Sequence, residues 1–323
     1  GWSLGSISFG VKVFFVVGGV AGLWVARLIA AYDARYVIMG GGVIAGGALA
    51  LLGQVETQWQ LFLVYALFAL GYAGAGLVST TTIITRWFHQ KRAVALSFAS
   101  TGLSAGGIVI TPFVKRFIDE DGLAATTPWL GLLFVIGVVP ITWFLVKPDP
   151  IAAGWSPDGA RRTVGQAVDA FPGMSVEEAV RTRFYKAITI GYVLSLGSQV
   201  GGIQQLVKLV EGRTDPSTAR FALTTLAATS VIARLIGGRA AQVIELAKLT
   251  VVLAALQCVA LVALGFATST PLIFVSIILF GLTIGNLLML QPLLLAERFG
   301  VADYPKIYSR SQFIAFVGVA GGP

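Results

Sequence analysis

A chain of 323 residues that is 56% hydrophobic and only 12% charged, with 39 glycines and a mean hydropathy of +0.84, cannot cover its apolar surface with polar groups in water; a soluble domain carries about 25% charged residues. This excludes a soluble enzyme, a disordered chain and a disulfide scaffold, and leaves an all-α polytopic membrane protein. The net charge of +8 is read as a topological bias rather than a nucleic-acid patch, and the single Cys258, in an apolar run, is expected to be a packed thiol with no partner in the chain.

A helix needs about 20 apolar residues to cross the hydrocarbon core. Ten stretches qualify or nearly qualify, near 7–30, 36–55, 60–86, 93–117, 129–146, 184–209, 220–243, 248–268, 271–297 and 305–323. No charged n-region or cleavage site marks a signal peptide, and the chain reads as beginning just before one span and ending inside another. Of the 23 Lys and Arg residues, fifteen, among them Arg161 and Arg162, lie in or beside the odd-numbered connections after the first span; five lie in the other set and three inside spans. The positive-inside rule then makes the first set cytoplasmic and puts Gly1 outside, in a plasma or bacterial inner membrane.

The longest polar stretch, 147–183, divides the chain into an N-terminal helical half, 1–146, and a C-terminal half, 184–323, with five spans each. Lys147-Pro148-Asp149-Pro150 and Trp155-Ser156-Pro157-Asp158-Gly159 read as turns. Ser175 followed by Glu178 is a capping box that opens a short interfacial helix. Two similar helical halves about a long linker are a recurrent transporter plan.

Ionisable residues inside spans are expensive and point to function once depth is judged. Arg234 lies about 20 Å from the outer end of its helix and about 13 Å from the inner end; Ser230 shares its face. None of the 15 acids lies inside a span to pair with it, and the only histidine, His89, is in a loop. A buried guanidinium without an acid is a natural carboxylate receptor; the competing reading is a snorkelling or structurally paired Arg. Lys12 is close enough to the outer end to snorkel, and Arg310 either lines a cavity or anchors the inner face.

Tyr65, Tyr72, Ser79 and Arg86 recur every seven residues along one stripe of the third span, as cavity wall or as packing. Gln199, Gln204 and Gln205 lie among Gly197, Gly201 and Gly202, and Asn286 lies near mid-depth with Thr283, Gln291 and Pro292 on its helix. Interrupted helices of this kind mark transporter sites, although hydrogen bonds between helices account for such residues equally well. Gly40 to Gly42, Gly71, Gly74, Gly76, Gly102, Gly106 and Gly107 are expected to let helices approach closely. No metal cluster, catalytic constellation or nucleotide motif is legible, and no cofactor is expected.

The stretch Arg86-Trp87-Phe88-His89-Gln90-Lys91-Arg92, continuing through Ala95, Ala99, Gly102 and Gly106, resembles the loop-to-span signature of the monocarboxylate-transporter-like branch of the major facilitator superfamily, which includes the oxalate–formate antiporter group. Gly1-Trp2-Ser3 and Ser156-Pro157-Asp158-Gly159 are similar to the same branch. Ser97 and Thr101 depart from its usual Gly and Ala, and Ala26 and Ala30 replace the Gly and Asp of the superfamily's general loop motif. The resemblance implies a bundle of twelve helices, of which about ten are present, and alternating access. It further implies that Arg234 contacts a substrate carboxylate, and that the helices of Tyr65 and Tyr72, Gln199 and Asn286 line the cavity. The expected ligand is a small organic anion, monocarboxylate-like, with a coupling proton or counter-anion and the lipid bilayer as surroundings. A same-fold exporter of hydrophobic or drug-like compounds is the alternative, and a non-transporting receptor a third reading that the short outer loops disfavour.

Overall fold

The computed structural model describes residues 4–159 and 172–321. Gly1, Trp2 and Ser3 and the linker residues Arg161 and Arg162 lie outside these, as does the end of the last expected span. The described chain forms twelve α-helices: α1 (Leu4–Ala31), α2 (Ala34–Leu51), α3 (Gln58–Ala75), α4 (Leu77–Trp87), α5 (Arg92–Asp121), α6 (Leu123–Leu145), α7 (Val176–Arg181), α8 (Arg183–Glu211), α9 (Pro216–Val243), α10 (Leu246–Phe266), α11 (Thr270–Phe299) and α12 (Tyr304–Gly321). Eight helical segments are long and apolar enough to cross a membrane by length and composition. The remaining two of the ten expected spans are α8, made more polar by Gln199, Gln204 and Gln205, and α12, made more polar by Lys306, Arg310 and Gln312. Both are nevertheless packed into the bundle, α12 against α1 and α8.

Local chemistry sets the helix ends. Thr57 and Gln60 form a reciprocal capping box at the start of α3, Asp215 caps α9 ahead of Pro216, and Ser175 with Glu178 caps α7 as the sequence predicts. The third expected span is two helices. Gly76 (φ −93°, ψ −146°) separates α3 from α4, and the Ser79 hydroxyl donates to the carbonyl of Gly74 next to the break. An added Cβ on Gly76 would collide with the Tyr72 carbonyl.

In the first five spans α2 packs between α3 and α6, and α1 lies along α3; in the second five, α11 packs against α9 and α10. Two long contacts join the two sets, α1 with α12 and α5 with α9. One buried core is shared by both sets, running from Val25 and Ile29 of α1 and Leu96 of α5 to Leu293, Tyr304 and Tyr308, near the end that carries the linker. A second core, around Leu206, Ala222, Ile273 and Phe280, belongs to α8–α11 alone and lies toward the opposite end. Apolar side chains that face outward, such as Phe113, Phe117, Leu133 and Phe144 on α5 and α6, suit hydrocarbon rather than water. Cys258 is one of them: it is exposed on α10 rather than packed, because the outer face of a membrane helix is as apolar as its core.

Close helix approach is real at some of the expected glycines and absent at others. A Cβ on Gly41 would lie 2.7 Å from both the Ala75 nitrogen and the Gly71 carbonyl, so α2 and α3 meet backbone to backbone. Gly40, Gly102, Gly106 and Gly107 have nothing within 4 Å of that position. Gly41→Ala is expected to destabilise by about 1–3 kcal/mol through overpacking, read as a lower thermal midpoint in detergent. Gly47→Ala on the same helix, with open space around it, is expected to be neutral or stabilising by up to about 1 kcal/mol.

Candidate functional site

Arg234 is 2% exposed, on the face of α9 turned to α5 and α11. Its Nη1 donates to the Ser100 carbonyl of α5, and its Nε to the Gly285 carbonyl of α11 at 3.2 Å. Three glycines make room for this junction. A Cβ on Gly285 would stand 2.5 Å from the Ser230 carbonyl and 2.8 Å from Arg234 Cγ. One on Gly237 would overlap the Asn286 amide, and one on Gly238 would overlap the Ser97 hydroxyl. The α5 hydroxyls turn onto their own helix, Ser97 Oγ donating to the Val94 carbonyl (2.7 Å) and Thr101 Oγ1 to that of Ser97 (2.7 Å). They leave the guanidinium to carbonyl oxygens.

Asn286 stands beside this group at 6% exposed; its Nδ2 donates to the Leu282 carbonyl at 2.9 Å, while its Oδ1 has no hydrogen-bond partner. Ser230 Oγ, one turn from Arg234, is likewise buried without a partner. Among the described residues no carboxylate forms an ion pair with Arg234. The junction therefore presents a full positive charge, one donor-capable hydroxyl and one open amide oxygen, with no neutralising acid.

A cavity of about 300 Å³ adjoins it, between α3–α4, α5, α6 and α11. Tyr72, Thr80 and Ser100 supply its polar rim, and Leu96, Leu103, Phe134, Val138, Leu288 and Met289 its walls. Ser100 is the common member: it lines the cavity and holds Arg234 by its carbonyl. The other expected residues sit apart. Tyr65 is half-buried against Gly10 of α1. Gln199 is 4% exposed and donates to Gln257 Oε1 at 2.8 Å, and Gln257 in turn donates to the Ser195 carbonyl and Ser198 Oγ, in the α8–α10 contact. Lys12 and Arg310 are exposed.

At the linker end the motif residues are tied down by a group that sequence reading took only for a turn. The Asp158 carboxylate accepts from the backbone N–H of His89 (3.1 Å), Gln90 (3.0 Å) and Lys91 (3.4 Å), the turn that opens α5. Arg92, 8% exposed, donates to the carbonyls of Phe88 (3.0 Å) and Thr85 (3.1 Å). Arg86, His89 and Arg92 then line a vestibule of about 1290 Å³ with Glu178, Glu245 and Glu297. Glu297, at the end of the ninth expected span, is in the last turn of α11, so one acid does lie within a spanning helix, at its linker end. Gly102 and Gly106 lie on α5 beyond these contacts. Among the described residues no cluster of His, Cys, Asp and Glu could hold a metal ion.

A bundle of apolar helices in two sets about a long linker is the plan of many polytopic membrane transporters, and here Arg234, a buried cation that no acid pairs with among the described residues, stands at the contact of the two sets. The profile of the Major Facilitator Superfamily matches residues 1–323, and the chain belongs to that superfamily. It is 23% identical over 273 residues to the MFS-type transporter hasB of Aspergillus fumigatus, a match that covers 83% of this chain and 60% of that protein. It is 28% identical over 119 residues to the oxalate:formate antiporter of Oxalobacter formigenes, covering 36% and 28% of the two chains. In fold it is similar to the human organic anion transporter MFSD10, with a TM-score of 0.73 at 14% identity over 99% of this chain and 76% of that one.

Burial works against the Asp158 carboxylate, but the backbone N–H groups of Gln90, His89 and Lys91 outweigh it and hold its pKa below the ordinary 3.8. Its stabilising effect is therefore complete above the unfolded value and lost as pH falls through the lowered folded one. Asp158→Ala is expected to cost about 0.5–1 kcal/mol at pH 7. That difference from wild type, read from thermal midpoints, should shrink in strong acid down to the pH-independent strain of an alanine at φ 65°.

Proposed function

We propose that the chain moves small organic anions, monocarboxylate-like, across a bilayer by alternating access, with its halves 1–146 and 184–323 rocking about a site near mid-membrane. The observation that carries this reading is Arg234: a guanidinium 2% exposed, held by two carbonyl oxygens and, among the described residues, by no acid. Carbonyls orient a cation without neutralising it, and a charge in such surroundings is costly until a counter-ion arrives. A substrate carboxylate supplies one, with the two oxygens that the guanidinium fork fits. The Asn286 amide and the Ser230 hydroxyl are placed to bond the rest of the anion, and Tyr72 to wall the approach from the cavity that Ser100 shares. Tyr65 lies farther out on the same stripe. Gln199 serves by holding α8 to α10.

In this reading Gly1 is outside and 147–183 is cytoplasmic, so that Arg86, Lys91 and Arg92 form part of the inner closure. The coupling partner is a proton or a counter-anion. The likeness to an oxalate:formate antiporter and to a structure named as an organic anion transporter supports the substrate class. A second reading, export of a hydrophobic compound, is favoured by the cavity lining, which is apolar apart from the hydroxyls of Tyr72, Thr80, Thr81 and Ser100.

Counterflow in proteoliposomes separates the two. Arg234→Gln is expected to cut carboxylate flux at least about 30-fold, the cost of removing one partner of a buried charge pair. Arg234→Lys should retain an intermediate rate, because charge survives while the fork is lost. Unchanged carboxylate flux in Arg234→Gln at normal surface level would exclude this role, and flux of neutral apolar compounds that ignores the substitution would select the exporter.

A further inference from the structure

Where α1 and α12 meet at the linker end, a cavity of about 730 Å³ opens beneath α7. Arg27 enters it from α1, Lys306 and Arg310 from the first two turns of α12. Two carboxylates are present. Asp303 is occupied: Lys306 Nζ donates to its Oδ1 at 2.8 Å and the Val176 N–H to its Oδ2 at 3.2 Å. Glu177 is an exposed residue of α7. Among the described residues neither Arg27 nor Arg310 forms an ion pair. Arg27 rests over the exposed ring of Trp24, 5.3 Å from its centroid, and Arg310 is exposed.

Depth defines what such a pair can meet. Arg27 is four residues from the end of α1 and Arg310 six from the start of α12, about 6 Å and 9 Å in by helical rise. With the helix ends set at the outer plane of the headgroup layer, that is the boundary between headgroups and hydrocarbon, since the polar layers together add about 10–15 Å to a core of about 30 Å. The wall on the hydrocarbon side is apolar, formed by Leu23, Phe313 and Ile314, the last of these 40% exposed. Trp24 beside it is of the type that settles at this interface.

We propose that this cleft binds the phosphate of an anionic phospholipid in the linker-side leaflet, Arg27 and Arg310 gripping its oxygens and an acyl chain lying on Phe313 and Ile314. A soluble phosphate offers the same oxygens, but it does not use the apolar wall or the interfacial depth. One cation belongs to α1 and the other to α12, so a bound headgroup ties the two five-helix sets together at the end where their core is already shared. The lipid thereby favours the conformation closed at the linker end. This site is independent of the Arg234 reading.

Native mass spectrometry of the purified full chain from nanodiscs of phosphatidylcholine with phosphatidylglycerol provides the measurement. Wild type is expected to retain phosphatidylglycerol, and Arg27→Gln with Arg310→Gln to retain about 30-fold less, from the loss of two interfacial cations. Arg116→Gln, an exposed residue paired with Glu120 at the opposite end of the bundle, should bind as wild type does. Equal retention by the double variant, with an unchanged thermal midpoint showing that it is folded, overturns the proposal. So does displacement of the lipid by millimolar inorganic phosphate, which would assign the cleft to a soluble anion. If Arg234→Gln abolishes flux while lipid retention stands, the substrate site and the lipid site are separated.

Discussion

The structure turns on a guanidinium that pairs with no acid among the described residues. Arg234 reaches the Ser100 carbonyl in one set of helices and the Gly285 carbonyl in its own. Both oxygens already serve their helices and can take a second donor only because a carbonyl has two lone pairs. For the side chain to lie this way, α5, α9 and α11 must approach until glycine alone fits at 237, 238 and 285. The cation and the glycines therefore imply each other. Any larger residue at the crossing would push the helices apart and leave Arg234 without its oxygens, in a medium where no water replaces them.

The linker end is held in several ways at once. The shared core fills it, the Met174 N–H donates to the Phe299 carbonyl at 2.8 Å and the Val301 N–H to that of Pro172 at 3.0 Å, and Asp158 gathers three N–H groups of the turn before α5. One end of the linker is thus fixed to the first set and the other end to the second. At the far end the buried core belongs to α8–α11, so the adhesion between the sets is concentrated where the linker is. For a bundle that rocks, this asymmetry selects which end is closed.

Most of the helices were legible because the bilayer imposes one rule, length and apolarity, on all of them. The place of Arg234 well inside its helix followed from counting residues, and the cap of α7 from Ser175 and Glu178 alone. The break at Gly76 was not, since it depends on a backbone path through an apolar run whose composition does not change there. Gln199 looked like a cavity residue because its partner Gln257 is 58 positions away, and a glutamine pair across two helices leaves no local pattern. Asp158 read as part of a turn for the same reason: its three donors lie 67–69 positions earlier in the chain. The open surroundings of Gly102 and Gly106 likewise depend on which helices stand opposite them.

Cys258 is the sole thiol of the chain, and it projects from α10 among the exposed Val251, Val252, Val259 and Val262, while its neighbour Gln257 points inward to hold α8. These 323 residues thus carry one spectroscopic attachment point, on the outward, apolar surface of the second helical set. A fluorophore or nitroxide small enough to partition into lipid can be coupled there without first stripping other cysteines from the sequence.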